Sequence, residues 1–268
     1  MKATRTFAPL LALAALAAAP AAAHDTWFEL RAPVRGELRL ALGTGNQFPV
    51  KETGVDAKYL VSSGCRGAGG GRIALRRVGN EPAALLLGPM RGARAGEALS
   101  CWAQLEPFDI ELQPALVEVY LKEVAAPPAV RGAWQAMRAR GLPWRERYTK
   151  HARIELPGSG DTAQPLSMGM DIVLARAGSL RAGEPIEFQV LRDGAPLPDF
   201  AIELRGENSA FGIWRRTDAE GRVSVRAPGS GRFLLRGTEL TPVDGARWES
   251  RFVTLAFEVA PVVRSERQ

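Results

Sequence analysis

Histidine and cysteine are scarce in this chain, whose 268 residues hold two of each: His24, His151, Cys65 and Cys101. No CxxC, HExxH or GxSxG pattern is present, so thiol redox centres, zinc peptidases and nucleophile-elbow hydrolases lack their parts. Nor does any close His, Asp and Ser grouping appear. Carboxylates are plentiful, yet nothing in their spacing selects a catalytic pair, and the expectation is a protein that is not an enzyme. Long hydrophobic runs are missing too. The apolar stretch "LLALAALAAAPA" is broken by Pro20 and falls short of the roughly 20 residues of a membrane span, so no transmembrane span is expected in the mature chain. Charge is not massed either: the arginines stand singly in strand-like segments with no nucleic-acid motif, which argues against a nucleic-acid partner.

What the start of the chain does have is Lys2 and Arg5, the apolar run, and Ala21 and Ala23 in the small-x-small pattern read by signal peptidase. Residues 1–23 read as a secretory signal peptide, and a periplasmic location follows as the expectation. Without Lys2 and Arg5 the 35 basic residues fall to 33 against 29 acidic ones, a mildly basic mature chain. Residues 24–268 exceed the roughly 100–200 of one domain, so two are expected. In an oxidising compartment Cys65 and Cys101 suggest a disulfide closing a loop of about 36 residues, which stabilises by roughly 3 to 4 kcal/mol. Free thiols or metal ligation remain as alternatives.

The pattern is mostly β. "ELRLAL" sets Leu38, Leu40 and Leu42 against Glu37, Arg39 and Ala41, the period of two that marks a strand buried on one face. "YLVSSGC", "RIALRRV" and "AALLLGPM" follow as strands, and "GCRGAGGGR" is a turn, since it lacks the spacing of a phosphate loop. Two short helices are expected over about 113–140. The first opens at Gln113 and Pro114 with Leu116, Val119, Tyr120 and Val124 near one face; the second carries Val130, Trp134 and Met137 and closes at Gly141 and Pro143. From Met170 to Val259, short strands split by "DGAPLPD", "DAEG" and "PGSG" suggest an immunoglobulin-like sandwich. The expected architecture is therefore two β-sandwich units with a short helical insertion, spanning 24–160 and 168–260.

Cleavage after Ala23 would make His24 the mature N-terminus and place a free α-amino group beside its imidazole. Those two nitrogens can chelate one divalent transition-metal ion, with Ni, Co, Cu or Zn favoured over Mg or Ca. The plainer reading is a polar end to the first strand. In "YTKHARIEL", Ala152, Ile154 and Leu156 occupy one strand face, so His151 points the other way with Thr149 and Arg153, as a solvated or weakly paired histidine.

The segments "AHDTWFEL", "GTGNQFP", "FDIELQPALVEVYLKEV", "RERYTKHARIEL", "LRAGEPIEFQVLRDGAPLPDFAIEL", "TDAEGRV" and "WESRFVTLAFEV", in that order, resemble a family of exported bacterial proteins of unknown function labelled NikM-like. The resemblance implies a periplasmic two-part β protein associated with nickel or cobalt uptake. In the family pattern a histidine stands near "LLRGTEL", where this chain has Glu239, and a tyrosine stands where it has His151. The expected metal site is His24 as anchor, with Asp25, His151 and Glu239 as the residues to complete it. Two rivals remain: an interaction module that holds a membrane transporter or receptor by its sandwich edges, and a copper oxidase of the histidine-brace kind, which needs His151 on the same ion as His24.

Overall fold

The computed structural model describes residues 24–262 apart from 68, 91, 92, 94–96, 159–163 and 177. The expected signal peptide, residues 1–23, lies outside the described residues. The first half contributes strands β1 (Asp25–Val34), β2 (Glu37–Gly45), β3 (Thr53–Gly54), β4 (Leu60–Gly67), β5 (Arg72–Ile73), β6 (Leu75–Glu81), β7 (Ala84–Pro89), β8 (Leu99–Leu105) and β9 (Phe108–Leu112). Helices α1 (Pro114–Glu123) and α2 (Pro128–Ala139) follow. The second half runs through β10 (Trp144–Leu156), β11 (Met170–Leu174), β12 (Pro185–Arg192), β13 (Ala195–Pro196), β14 (Ala201–Gly206), β15 (Ile213–Arg216), β16 (Arg222–Arg226), β17 (Gly231–Asp244) and β18 (Arg247–Val259).

These strands form three sheets stacked as layers. A five-stranded sheet holds β1, β2, β7 and β6 with β3 beside β2, and a four-stranded sheet holds β11, β12 and β13 with β16 beside β12. Between them lies a nine-stranded sheet in the order β15, β14, β17, β18, β10, β8, β4, β5, with β9 also on β10. Strands from both segments thus meet in the middle layer, joined by the parallel pairing of β10 with β18, from Arg145 opposite Arg247 to Ile154 opposite Ala256. The "DGAPLPD" turn does not close a simple hairpin: β12 lies in the four-stranded sheet and β14 in the middle one.

Alternation along β10 and β18 supplies a buried side chain to each neighbouring layer. Ala152, Ile154, Leu156 and Ala256 pack with Trp27, Phe28, Leu40, Leu42 and Leu85 of the five-stranded sheet. Val253, Leu255 and Phe257 point the opposite way and pack with Ile172, Phe188, Val190 and Val223. At the far end of the first face the helices take over as the cover. Trp144 stacks on Trp248 with centroids 4.3 Å apart, and Trp134 meets Trp144 edge-on at 5.4 Å.

Both helices begin with proline in the first turn, where its missing N–H costs nothing. On α2, Val130, Trp134 and Met137 are buried as expected. On α1 the buried stripe is Val117, Tyr120, Leu121 and Val124, while Val119 stays half exposed. The expected face, with Leu116 and Val119 on it, is thus rotated, because the i, i+3, i+4, i+7 series from Val117 presents more bulk to Trp144 and Phe252 than the one from Leu116.

Cys65 and Cys101 stand directly opposite each other on β4 and β8 and are joined by a disulfide. Both are fully buried against the five-stranded sheet.

Candidate functional site

The head of β1 is held in place from three sides. Its register on β2 pairs Asp25 with Gly45 and Thr26 with Thr44, whose hydroxyls lie 2.8 Å apart. Thr254 Oγ1 donates to the Thr26 carbonyl at 2.6 Å, and Arg236 Nη1 donates to Asp25 Oδ2 at 2.6 Å. Beyond Gly45 the chain turns back on itself, with Val50 N bonded to the Gln47 carbonyl at 2.7 Å and Glu52 N to the Thr44 carbonyl at 2.8 Å. Only glycine fits at position 45, since a Cβ there would collide with the Val50 carbonyl and the Trp27 ring.

This fold-back carries Glu52 to His24. His24, a third exposed, places Nε2 3.1 Å from Glu52 Oε2. Asn46 grips the same carboxylate twice, through its backbone N–H to Oε1 at 3.3 Å and through Nδ2 to Oε2 at 3.2 Å. Asn46 Oδ1 is buried and has no hydrogen-bond partner among the described residues. Neither Glu52 nor Asn46 is among the residues that the sequence singles out. Asn46 lies within the "GTGNQFP" segment, but nothing in its residue types announces that the loop folds back beside residue 24.

The residues expected to complete the site are elsewhere. Asp25 is buried, but its carboxylate is committed to Arg236, which also binds Glu203 Oε2 at 2.6 Å. Lys150 shares this face; it rests its ammonium over the Tyr148 and Phe252 rings, and burial brings its pKa down to about 8, opposed by Asp25.

His151 and Glu239 lie on the other face of the middle sheet. In register, His151 aligns with Val253 and Gly237, whereas Arg236, the partner of Asp25, aligns with Thr254 and points oppositely. The backbone of the sheet therefore separates His151 from His24. The four-residue site is not assembled, and a histidine brace between the two histidines is ruled out on the same ground.

The expectation of a solvated His151 is also overturned: it is only 2% exposed, because the four-stranded sheet and the loop before it cover this face. Its Nδ1 bonds the Phe252 carbonyl at 3.0 Å. On the other side, Nε2 faces Gly169, where a Cβ would approach it to 3.0 Å. Burial pulls the imidazole pKa down to about 4, with the Phe252 carbonyl opposing, the Arg251 charge adding to the drop and Asp193 resisting it. Glu239 is paired with Arg192 at 2.7 Å, and Arg251 with Asp193 at 2.7 Å.

Two further buried polar groups are structural. Arg153, fully buried between the middle and four-stranded sheets, binds both oxygens of Asp171 at 3.0 and 3.1 Å and Glu155 at 2.7 Å. Glu146, under the helices, accepts from Tyr120 Oη at 2.9 Å, from Trp144 Nε1 at 2.8 Å and from Ser250 Oγ; burial raises its pKa, and these donors oppose the rise. Among the described residues, no three His, Cys, Asp or Glu side chains converge as a metal-binding group.

A family model described as "Domain of unknown function (DUF4198)" matches residues 145–238. The matched stretch runs from β10 into β17 and includes His151; it leaves His24, Asn46, Glu52 and Glu239 outside. No curated protein matches the chain. Among the described residues, no helix is long and apolar enough to cross a membrane.

Proposed function

We propose that this is an exported transition-metal-binding protein, an accessory to nickel or cobalt uptake that also accepts Cu or Zn, and that the ion is held at the mature N-terminus by the α-amino and imidazole nitrogens of His24. The observation that carries the reading is the cluster at the head of β1. His24 sits on an anchored strand end, its imidazole meets Glu52 at 3.1 Å, and Asn46, on the same carboxylate oxygen, has a buried carboxamide oxygen with no partner among the described residues. Two nitrogens and a neutral oxygen suit borderline divalent ions better than Mg or Ca. With only these donors supplied, the ion keeps open positions for water or for a ligand passed from a partner, which fits delivery better than permanent storage.

Isothermal titration of the chain beginning at His24 with Ni, Co, Cu and Zn salts tests the reading. One ion per chain is expected, lost in His24→Ala and in a form carrying one extra glycine before His24, since that residue turns the amine into an amide. Unchanged binding in both variants would overturn it.

A further inference from the structure

A chelate between an N-terminal amine and its own imidazole closes through Nδ1, the ring nitrogen adjacent to Cγ, because that path makes a six-membered ring with the ion. Nε2 lies on the far side of the ring and cannot share it. In this chain Nε2 is the nitrogen that meets Glu52, at 3.1 Å. A carboxylate only accepts, so Nε2 carries a ring hydrogen, and in the neutral imidazole, the form that binds metal, the lone pair then lies on Nδ1.

The carboxylate is itself held. Asn46 donates to both of its oxygens, through the backbone and through Nδ2, and so cannot turn its amide around without setting Oδ1 against Glu52. With Nδ2 engaged, Oδ1 is directed away from the carboxylate as a buried acceptor with no donor among the described residues. His24 Nε2 and Asn46 Nδ2 meet the same oxygen of Glu52, at 3.1 and 3.2 Å, which brings the two side chains next to each other. An unfilled acceptor at that point fits a cationic occupant, the released amine or the ion it holds.

We propose that Glu52 is the positioning residue of this site, locking His24 in the tautomer that offers Nδ1, and that Asn46 Oδ1 is the third donor to the ion. This rests on the metal reading above and specifies how the site is set. It is the arrangement in which a metal-bound histidine hands its other N–H to a carboxylate, whose removal generally weakens metal binding about 10- to 100-fold.

The test uses the chain beginning at His24, titrated with Cu2+ and Ni2+, in wild type and in Glu52→Ala, Glu52→Gln, Asn46→Leu and His24→Ala, with thermal midpoints confirming that each is folded. Glu52→Ala is expected to weaken binding about 10- to 100-fold, and Glu52→Gln, whose amide oxygen still accepts from Nε2–H, only a few-fold. Pulsed EPR of the Cu2+ form should show the couplings of the remote ring nitrogen shifted in Glu52→Ala and restored in Glu52→Gln, a signature that a purely structural loop residue does not move. Asn46→Leu should shift the g-parallel value. Wild-type affinity and an unmoved remote-nitrogen signal in Glu52→Ala would remove Glu52 from its role, and an unchanged spectrum in Asn46→Leu would remove Asn46 from the donor set. If His24→Ala binds as wild type does, or wild type binds nothing, the metal reading and this inference fall together. If His24 matters and Glu52 does not, this inference alone falls.

Discussion

Acidification should weaken the fold through His151, and the size of the effect follows from its surroundings. The side chain is 2% exposed, wedged between the Phe252 carbonyl and the backbone of Gly169, with the Arg251 charge nearby and its pKa down at about 4. The unfolded chain takes up this proton near the ordinary value of 6.5, whereas the folded one resists until about 4. Between those values the unfolded state binds more protons, so stability falls as pH drops through the window, and this group adds no slope above it. A gap of that size corresponds to about 3 kcal/mol. His151→Asn keeps a donor near the Nδ1 position and removes the titration. Urea unfolding at pH 7, 6, 5 and 4 should show the variant less stable at pH 7, because of the space it opens, with its deficit shrinking by about 3 kcal/mol toward pH 4. Carboxylates whose linkage sets in toward pH 4, such as Glu29, which burial pushes up but its Lys51 and Arg31 partners carry down to about 2 in the folded chain, contribute equally to both proteins and cancel in the difference. A deficit that stays constant with pH would refute the burial argument.

Three other outcomes are open to measurement. Replacing Cys65 and Cys101 together by alanine should cost about 2 to 4 kcal/mol in urea unfolding, since the bridge closes a loop with a sequence separation of 36. Asp171→Ala should cost about 3 kcal/mol or more, because it removes a carboxylate that offsets the fully buried Arg153 on two hydrogen bonds; a change under about 1 kcal/mol would mean that water reaches that network. On α1, Val117→Ala should cost about 2 kcal/mol and Val119→Ala within about 0.5, and the reverse order would restore the helix face expected from the sequence.

Much of the fold is legible in local pattern. Leu38, Leu40 and Leu42 are buried together as their alternation requires, and, apart from the two-residue β13 inside "DGAPLPD" and the first residue of β17, the strands between Met170 and Val259 lie outside the turns that the sequence marks. The helical insertion starts at its prolines for the same local reason. His151 shows where pattern misleads. A polar residue opposite an apolar strand face normally meets water, but β10 is an inner strand of a middle layer, and its polar side, with Arg153 and Glu155, is covered by another sheet and satisfied there by Asp171 and Ser100.

The candidate site divides in the same way. That His24 is chemically distinctive follows from the sequence, because two histidines, one of them beside a small-residue cleavage pattern, are visible in a line of letters. Its neighbours are not. Asp25, His151 and Glu239 have suitable side chains, yet Arg236 occupies the first and the sheet backbone separates the other two from His24. Residue type and spacing along the chain determined the strands, the disulfide candidates and the anchor. Which side chains meet His24 was decided by the turn at Gln47–Val50 and by the parity of strands paired across about a hundred residues, because strand faces and loop returns are set by long-range packing that no local window of sequence contains.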